Sequence, residues 1–167
     1  MPSNDQQALI ETFYKAFQSL DHATMASCYH PDVEFEDALF KLKGREVAAM
    51  WHMLCSRAKD LDLEFSTAIK NGKVTAHWEP RYTFTQTGKP VHNIIDAEFE
   101  FKDGKIIRHN DNFDFKRWSG QAFGLAGKVL GGTQFFKKKV IVDGIRTVEN
   151  LISRKLKKTT TMTRTKK

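Results

Sequence analysis

The chain has 167 residues, 40% of them hydrophobic and 28% charged, which is typical of one globular domain. No apolar run is long enough to span a bilayer, and the first residues lack the basic and apolar regions of a secretory signal, so we expect a cytoplasmic protein. The net charge of +7 divides into +9 for residues 137–167 and −2 for residues 1–136, which argues against a domain built to bind nucleic acid.

Apolar periodicity predicts three helices and one strand before residue 60. The helices are expected over residues 5–20, about 22–29 and 44–58. A turn at His30-Pro31-Asp32 precedes a strand over residues 33–37. Alternation along this strand places Asp37 on the core-facing side together with Phe35.

Four long strands follow, with turn signals between them. They are expected over residues 61–69, 74–85, 91–102 and 105–115. Asn71-Gly72 and Asp103-Gly104 are typical of tight hairpin turns. Three helices followed by a strand meander predict an α+β fold in which a curved antiparallel sheet wraps around the helices.

The C-terminal part of the chain is expected to be an appendage to a domain formed by residues 1–132. After a short helix over residues 117–125, Gly131-Gly132 interrupts the chain. Apolar spacing then predicts an amphipathic helix over residues 133–158, whose stripe consists of Ile141, Ile145, Val148 and Ile152. Residues 159–167 have almost no apolar content, so we expect them to form a disordered basic tail.

Four short segments carry a resemblance to a known group of proteins. They are Phe35-Glu36-Asp37, Gly44-Arg45-Glu46, Phe101-Lys102-Asp103-Gly104-Lys105-Ile106 and Gln121-Ala122-Phe123-Gly124-Leu125. Their order over residues 5–127 resembles the SnoaL-like and ketosteroid-isomerase-like proteins of the nuclear-transport-factor-two-like superfamily. The resemblance implies a cone-shaped α+β barrel with three N-terminal helices, one deep and mostly apolar pocket, and a homodimer. It does not fix the activity, because this fold carries isomerases, cyclases, dehydratases, epoxide hydrolases and binding modules.

The resemblance also suggests where proton transfer would occur. The position of the proton-shuttling Asp of steroid isomerases falls on Asp37, where burial in an apolar pocket would raise the carboxyl pKa; the other interpretation is an Asp that caps a turn. The Tyr position of the isomerase oxyanion hole falls on Phe13, beside Tyr14, and its Asp position falls on Ala97, beside Asp96. A shift of one residue reverses the face of a strand, so Asp96 should point outward and steroid isomerisation is disfavoured.

The last predicted strand adds two further candidates. His109 and Asp111 share the core-facing phase of Phe113, and an Asp beside a His can orient its proton. With Asp37, these residues form a candidate set of acid/base groups. The alternative is a buried polar network that holds the strand in place.

Seven side chains are candidates for contact with a substrate, although the same residues also suit an ordinary core. They are Tyr14, Phe17, Trp51, Trp78, Tyr82, Asn93 and Phe113. Their bulk favours a flat or alicyclic apolar ligand, and Asn93 is in phase to donate to a carbonyl or to join the polar network. No phosphate loop or metal-ligand spacing occurs, so neither a cofactor nor a metal is expected.

These observations leave three hypotheses for function. The first is a cofactor-independent isomerase, cyclase, dehydratase or hydrolase that moves protons on a small hydrophobic molecule. The second is a module without catalysis that binds a hydrophobic ligand or acts as a dimeric scaffold. The third assigns function to the basic tail as a tether to nucleic acid or to anionic lipid; a solvated tail is the interpretation that we favour. We expect a homodimer that pairs the outer faces of its sheets.

Overall fold

A computed structural model describes the backbone of residues 3–164 and the side chains of residues 3–158. The described residues form six helices: α1 Asn4–Gln18, α2 His22–Ser27, α3 Arg45–Arg57, α4 Phe115–Phe123, α5 Leu125–Leu130 and α6 Gln134–Arg164. Seven strands form one sheet: β1 Tyr29–Glu36, β2 Lys41–Lys43, β3 Asp62–Lys70, β4 Lys73–Phe84, β5 Lys89–His92, β6 Ile95–Lys102 and β7 Lys105–Asn112. The predicted α+β class, with helices in a curved sheet and a C-terminal helix, is confirmed.

Local sequence explains where the N-terminal helices begin. Ser3 and Gln6 form a capping box at the start of α1, since each side chain bonds to the other residue's backbone N–H. Asp21 caps α2 by accepting a hydrogen bond from the backbone N–H of Thr24. Gly44 precedes α3 with φ of 54°, a conformation that other residues resist.

The sheet has the order β2-β1-β7-β6-β4-β3, with β5 on the edge of β4, and it does not close into a complete barrel. The strands from β3 to β7 pair antiparallel, as predicted. β1 instead runs parallel to β7, with Phe35 opposite His109, so the sheet is mixed. This parallel pair arises because α3 and the meander carry the chain back to the same end of the sheet before β7 begins.

Several strand boundaries differ from the prediction. β1 begins at Tyr29, and the predicted turn at residues 30–32 is an irregularity within it. The single strand expected over residues 91–102 is divided at Asn93, opposite the point where Pro80 lacks an N–H for the ladder. β7 ends at Asn112 because Asp114 caps α4. The short strand β2 was missed altogether.

The C-terminal helix packs against the rest of the molecule. α6 contacts α3, and Val148 is 2% exposed within the main hydrophobic core. Gly144 lies against the ring of Phe40, where a larger side chain would collide with it. The helix therefore contributes to the core of the domain, although the sequence predicts only an appendage.

The helix also extends beyond its predicted end at residue 158. The backbone of residues 159–164, expected to belong to a disordered tail, continues α6, while residues 165–167 of that predicted tail lie outside the described residues. No Gly or Pro follows Gly144, and an established helix propagates readily where neither residue interrupts it. Among the described residues, no helix is both long and apolar enough to cross a bilayer.

Two substitutions in α6 test its packing. Val148→Ala should lower the free energy of unfolding by about 1–3 kcal/mol, because it opens a space in the core. Val142→Ala, at a position 53% exposed on the same helix, should change it by less than about 0.5 kcal/mol. Urea unfolding of both variants measures the difference. Equal stability of the two variants would mean that α6 does not dock in solution.

Candidate active site

A cavity of about 490 Å³ lies between the helices and the concave face of the sheet. Most of its wall is aromatic or aliphatic, and the side chains that form it include Phe17, Phe35, Trp51, Trp78, Tyr82 and Phe113. The polar side chains of the wall include Asp37, Asn93 and Asp111, which are at least partly buried. This composition suits a small apolar molecule that carries one or two polar atoms.

Exposed members of the wall locate the opening of the cavity. Arg57 at the end of α3, Gln86 in the turn after β4, and Leu130, Phe135 and Lys139 around the start of α6 are exposed and line the cavity. The first turns of α6 therefore form one side of the opening, and its mouth is apolar and charged, with the exposed Asp143 beside the two basic residues.

The parallel pairing of β1 with β7 brings two carboxylates to the same wall. Phe35 lies opposite His109 in the ladder, and Asp37 and Asp111 each follow two residues later in the same direction. Side chains two residues apart share a face, so both carboxyl groups point to the concave side. In an antiparallel pair, the same spacing would place them on opposite sides of the Phe35–His109 contact.

Asp37 is half-buried, and its accessible part faces the cavity. Its Oδ1 accepts hydrogen bonds from the backbone N–H groups of Leu39 at 2.7 Å and Phe40 at 2.6 Å. Burial raises the pKa of Asp37 to about 7; the two backbone hydrogen bonds oppose this shift, and the charge of Asp111 adds to it. Both protonation states of Asp37 are therefore populated near neutral pH, as proton transfer requires.

Asp111 ends a buried chain of hydrogen bonds. Its Oδ1 accepts from the indole N–H of Trp78 at 3.4 Å and pairs with His109 Nε2 at 3.0 Å. His109 Nδ1 lies 2.7 Å from the Tyr29 hydroxyl, to which the Trp51 indole donates at 2.8 Å. His109 is fully buried and does not reach the cavity, so it supports Asp111 from behind.

The directions of these hydrogen bonds follow from Trp51, which stands at the opposite end of the series from Asp111. Trp51 can only donate, so the Tyr29 oxygen accepts from it, and the Tyr29 O–H is available for His109 Nδ1. A neutral His109 then carries its proton on Nε2 and donates to Asp111. The carboxylate of Asp111 thus receives donors on Oδ1, while its Oδ2 has no hydrogen-bond partner among the described residues.

Asn93 supplies a donor to the same cavity from the break between β5 and β6. Its Oδ1 accepts from the backbone N–H of Ile94 at 3.1 Å, and its own backbone N–H donates to Pro80 O at 3.0 Å. These two bonds fix the amide, while its Nδ2 has no protein partner among the described residues. The side-chain N–H₂ group is thus available to an oxygen atom of a ligand.

The predicted site residues divide into three groups. Asp37 and Asp111 lie on the cavity wall, as do six of the seven predicted substrate contacts, namely Phe17, Trp51, Trp78, Tyr82, Asn93 and Phe113. His109 is brought next to Asp111 but lies behind the wall. Tyr14 is fully buried and does not line the cavity, which corrects the prediction that it contacts substrate.

The direction of the Tyr14 side chain follows from its place on α1, where it is turned by about 100° from Phe13. Phe13 packs against Trp51 and His109, whereas Tyr14 turns towards the sheet and stacks on Phe65. The Tyr14 hydroxyl is buried, with no hydrogen-bond partner among the described residues. Burial, with a smaller contribution from the charge of Asp111, holds its pKa well above the usual range.

Two residues of the site were missed in the sequence. Tyr29 was assigned to the end of a helix, although it shares the odd-numbered phase of Val33 and Phe35 and would have been placed inward if the strand had been extended. Trp118, in the short helix after β7, lines the cavity and donates to the Tyr82 hydroxyl at 3.0 Å. Its contact with β4 is not local, so periodicity alone does not reveal it.

The outer face of the sheet is charged, as its phase predicts. The Asp96 side chain is 76% exposed and hydrogen-bonds to His77 Nδ1 at 2.8 Å, so the predicted outward direction is confirmed. Ile94, 40% exposed, is an apolar residue on this side of the molecule. Pairing of two such faces in a homodimer remains a prediction. Among the side chains of residues 3–158, no three His, Cys, Asp or Glu residues are grouped as metal ligands.

Residues 10–109 match the model of the SnoaL-like domain family, which covers more than half of the chain, and the protein therefore belongs to this family. A search of curated protein sequences found no match. Three solved structures with the same fold are described next. Each is at most 20% identical to this chain, so the likeness concerns the fold alone.

An LEH-like epoxide hydrolase from M. tuberculosis is 20% identical, with a TM-score of 0.58, over 77% of this chain and 97% of its own. A candidate polyketide cyclase from Xanthomonas campestris pv. campestris is 20% identical, with a TM-score of 0.57, over 71% of this chain and 96% of its own. A protein with a ketosteroid isomerase-like fold from Catenulispora acidiphila, in complex with trimethylamine, is 11% identical. Its TM-score is 0.61, and the match covers 72% of this chain and 95% of its own.

The raised pKa of Asp37 predicts how stability changes with pH. Its pKa is about 7 in the folded protein and 3.8 in an unperturbed Asp. The folded protein therefore holds this proton more tightly, and the stabilisation that the protonated carboxyl gives in acid is lost as the pH rises through about 7. Asp37→Asn keeps an uncharged acceptor and should therefore be more stable than the wild type at pH 8, by about 1–3 kcal/mol, and similar at pH 4. Thermal unfolding at both pH values checks this, and a variant that is less stable at pH 8 would contradict it.

A matched pair of tyrosine substitutions tests the hydrogen-bond chain. Tyr14→Phe removes an unpartnered buried hydroxyl and should leave stability unchanged or raise it by up to about 1 kcal/mol. Tyr29→Phe leaves the Trp51 N–H and His109 Nδ1 without their shared partner and should cost about 1–3 kcal/mol. Chemical denaturation compares them. A larger loss for Tyr14→Phe would be inconsistent with the assigned network.

Proposed function

We propose that the protein is a cofactor-independent enzyme that moves protons on a small, mostly apolar carbonyl compound or epoxide. The observation that carries the proposal is the pair of carboxylates, Asp37 and Asp111, on one wall of an aromatic cavity. Their surroundings differ, because Asp37 is desolvated with a pKa of about 7, while Asp111 receives two side-chain donors. Such a difference lets one carboxyl act as an acid and the other as a base.

The roles follow from the hydrogen bonds. Protonated Asp37 donates to the oxygen of a bound carbonyl or epoxide as negative charge develops there, and the side-chain N–H₂ of Asn93 stabilises the same oxygen. Ionised Asp111 accepts a proton from the carbon beside a carbonyl, or from a water that attacks an epoxide carbon. The proton gained by Asp111 and the proton lost by Asp37 are then exchanged with the substrate or with water, which restores the starting state.

His109 acts as a positioning residue in this proposal. It touches Asp111 but not the cavity, and its Nδ1 is held by Tyr29. The imidazole thus fixes the rotamer of Asp111 and directs its free Oδ2 towards the ligand. Desolvation by the surrounding aromatic rings strengthens each of these electrostatic contacts.

The alternative is a SnoaL-like module that binds a hydrophobic ligand, or forms a dimeric scaffold, without catalysis. One observation favours it. The series of hydrogen bonds from Trp51 to Asp111 pairs both nitrogens of His109 and one oxygen of Asp111 within the protein. A closed network of this kind also suits a purely structural role. The two candidates differ in whether bound ligand is turned over.

The test uses alicyclic ketones with exchangeable α-hydrogens and alicyclic epoxides as probes. Tryptophan fluorescence, from Trp51 and Trp78 on the wall, reports binding; exchange of α-hydrogens for deuterium by NMR and diol formation by mass spectrometry report turnover. Asp37→Asn should bind the probes and lose turnover by about 100-fold or more. Asp96→Asn, which removes an exposed carboxylate from the outer face, should retain full activity.

Two results would count against the enzyme. Binding of the probes with no exchange and no diol in the wild type would favour the ligand-binding alternative. Turnover that survives in both Asp37→Asn and Asp111→Asn would mean that the reaction does not use this pair of carboxylates.

A further inference from the structure

Helix α5 carries a glycine on its inner side and its large apolar residues on its outer side. A side chain at Gly127 would overlap the Ser119 carbonyl, and one at Gly131 would overlap the Ser119 hydroxyl, so this side of α5 is pressed against α4. On the opposite side, Leu125 is 77% exposed and Val129 is 69% exposed. An ordinary amphipathic helix buries such side chains, so their exposure requires another explanation.

The exposed apolar surface continues onto the rim of the cavity. Leu130 is 45% exposed and Phe135 is 81% exposed, and both also line the cavity. The surface therefore borders the entrance through which a ligand must pass. Contact of these apolar side chains with water costs free energy, and this cost would persist if the mouth always faced water.

The same part of the chain is exclusively basic. Residues 115–142 contain six Lys and Arg residues and no Asp or Glu. Four of the six are exposed lysines, namely Lys116, Lys128, Lys138 and Lys139; the acidic residues that flank the segment are Asp114 and Asp143, and Asp143 lies one helical turn after Lys139. We define the docking face as Leu125, Val129, Leu130 and Phe135 together with Lys128, Lys138 and Lys139.

We propose that the docking face binds the surface of an anionic lipid bilayer and places the cavity mouth against it. Apolar side chains that insert at the level of the headgroups, surrounded by lysines that attract anionic lipids, are the combination that holds proteins at a membrane surface. A nucleic acid would use the lysines but would gain little from Leu125 or Val129. The inference does not depend on catalysis, since it concerns only the face around the mouth.

Docking would also solve a problem of ligand supply. A molecule that suits an aromatic cavity partitions into lipid, so its concentration in water is low. With the mouth against the bilayer, such a molecule passes between lipid and cavity without crossing water. The sequence favours a solvated basic tail over a tether to nucleic acid or anionic lipid. The docking face adds a contact that does not involve this tail, because its exposed apolar side chains lie beside lysines of residues 115–142.

The experiment is flotation of the full-length protein with lipid vesicles. Vesicles of phosphatidylcholine alone are compared with vesicles that contain equal parts of phosphatidylcholine and phosphatidylglycerol. The wild type should float with the anionic vesicles and weakly or not at all with the neutral ones. Leu125→Ser with Val129→Ser should weaken binding by about tenfold or more, because the inserted apolar area is lost. Lys128→Glu with Lys138→Glu should weaken it to a similar extent.

Matched controls separate the docking face from general stickiness. Ile69→Ser with Ile94→Ser removes two apolar residues of comparable type, 43% and 40% exposed on the sheet, and should leave binding unchanged. Thermal unfolding confirms that each variant is folded.

Three results would overturn the proposal. The first is no flotation of the wild type with anionic vesicles even in low salt. The second is unchanged binding in Leu125→Ser with Val129→Ser, which would assign the contact to the basic tail or to charge alone. The third is a dimer by light scattering that the same variant converts to a monomer, which would mean that a second copy of the chain covers this face.

Discussion

The parallel pairing of β1 with β7 is the contact on which the site depends. It joins the N-terminal half of the chain, which supplies the helices and Asp37, to the last strand of the meander, which supplies His109 and Asp111. Because the two strands run in the same direction, the two aspartates follow the Phe35–His109 pair side by side. The cavity wall between them is therefore a consequence of topology, and any change in this register would separate the carboxyl groups.

The remaining interactions at the wall offset the cost of placing two carboxyl groups among aromatic rings. Asp37 receives backbone N–H groups from the chain just after β1, and its desolvation is still large enough to hold its pKa near 7. Asp111 receives side-chain donors from Trp78 and His109, and His109 is held in turn by Tyr29. The two groups are thus stabilised in different ways, and this asymmetry makes them suitable for opposite roles in proton transfer.

Local patterns in the sequence were sufficient for most of the elements and for the inward direction of Asp37 and Asp111. They were not sufficient for the neighbours of these residues, because pairing between β1 and β7 joins segments far apart in the chain. The same limit explains why Tyr29 and Trp118 were missed: their partners, His109 and Tyr82, lie on distant strands. Tyr14 was misplaced because the periodicity of a helix separates buried from exposed positions but not core from cavity wall: Phe13 and Tyr14 are both fully buried, and neither lines the cavity. The packing of α6 was likewise hidden, since its stripe does not indicate which surface it covers.

The proposed catalysis, the proposed entrance for a ligand and the C-terminal helix all meet at one cavity, and the proposed acid, Asp37, lies on its wall. The most direct measurement is a carbon-13 NMR titration of the aspartate side chains, with Asp37→Asn used to assign the signal of Asp37. The account predicts that Asp37 titrates near pH 7, and that its pKa falls in Asp111→Asn because the neighbouring negative charge is removed. A wild-type pKa near 4 would show that Asp37 is not desolvated by the cavity and would contradict its role as the acid.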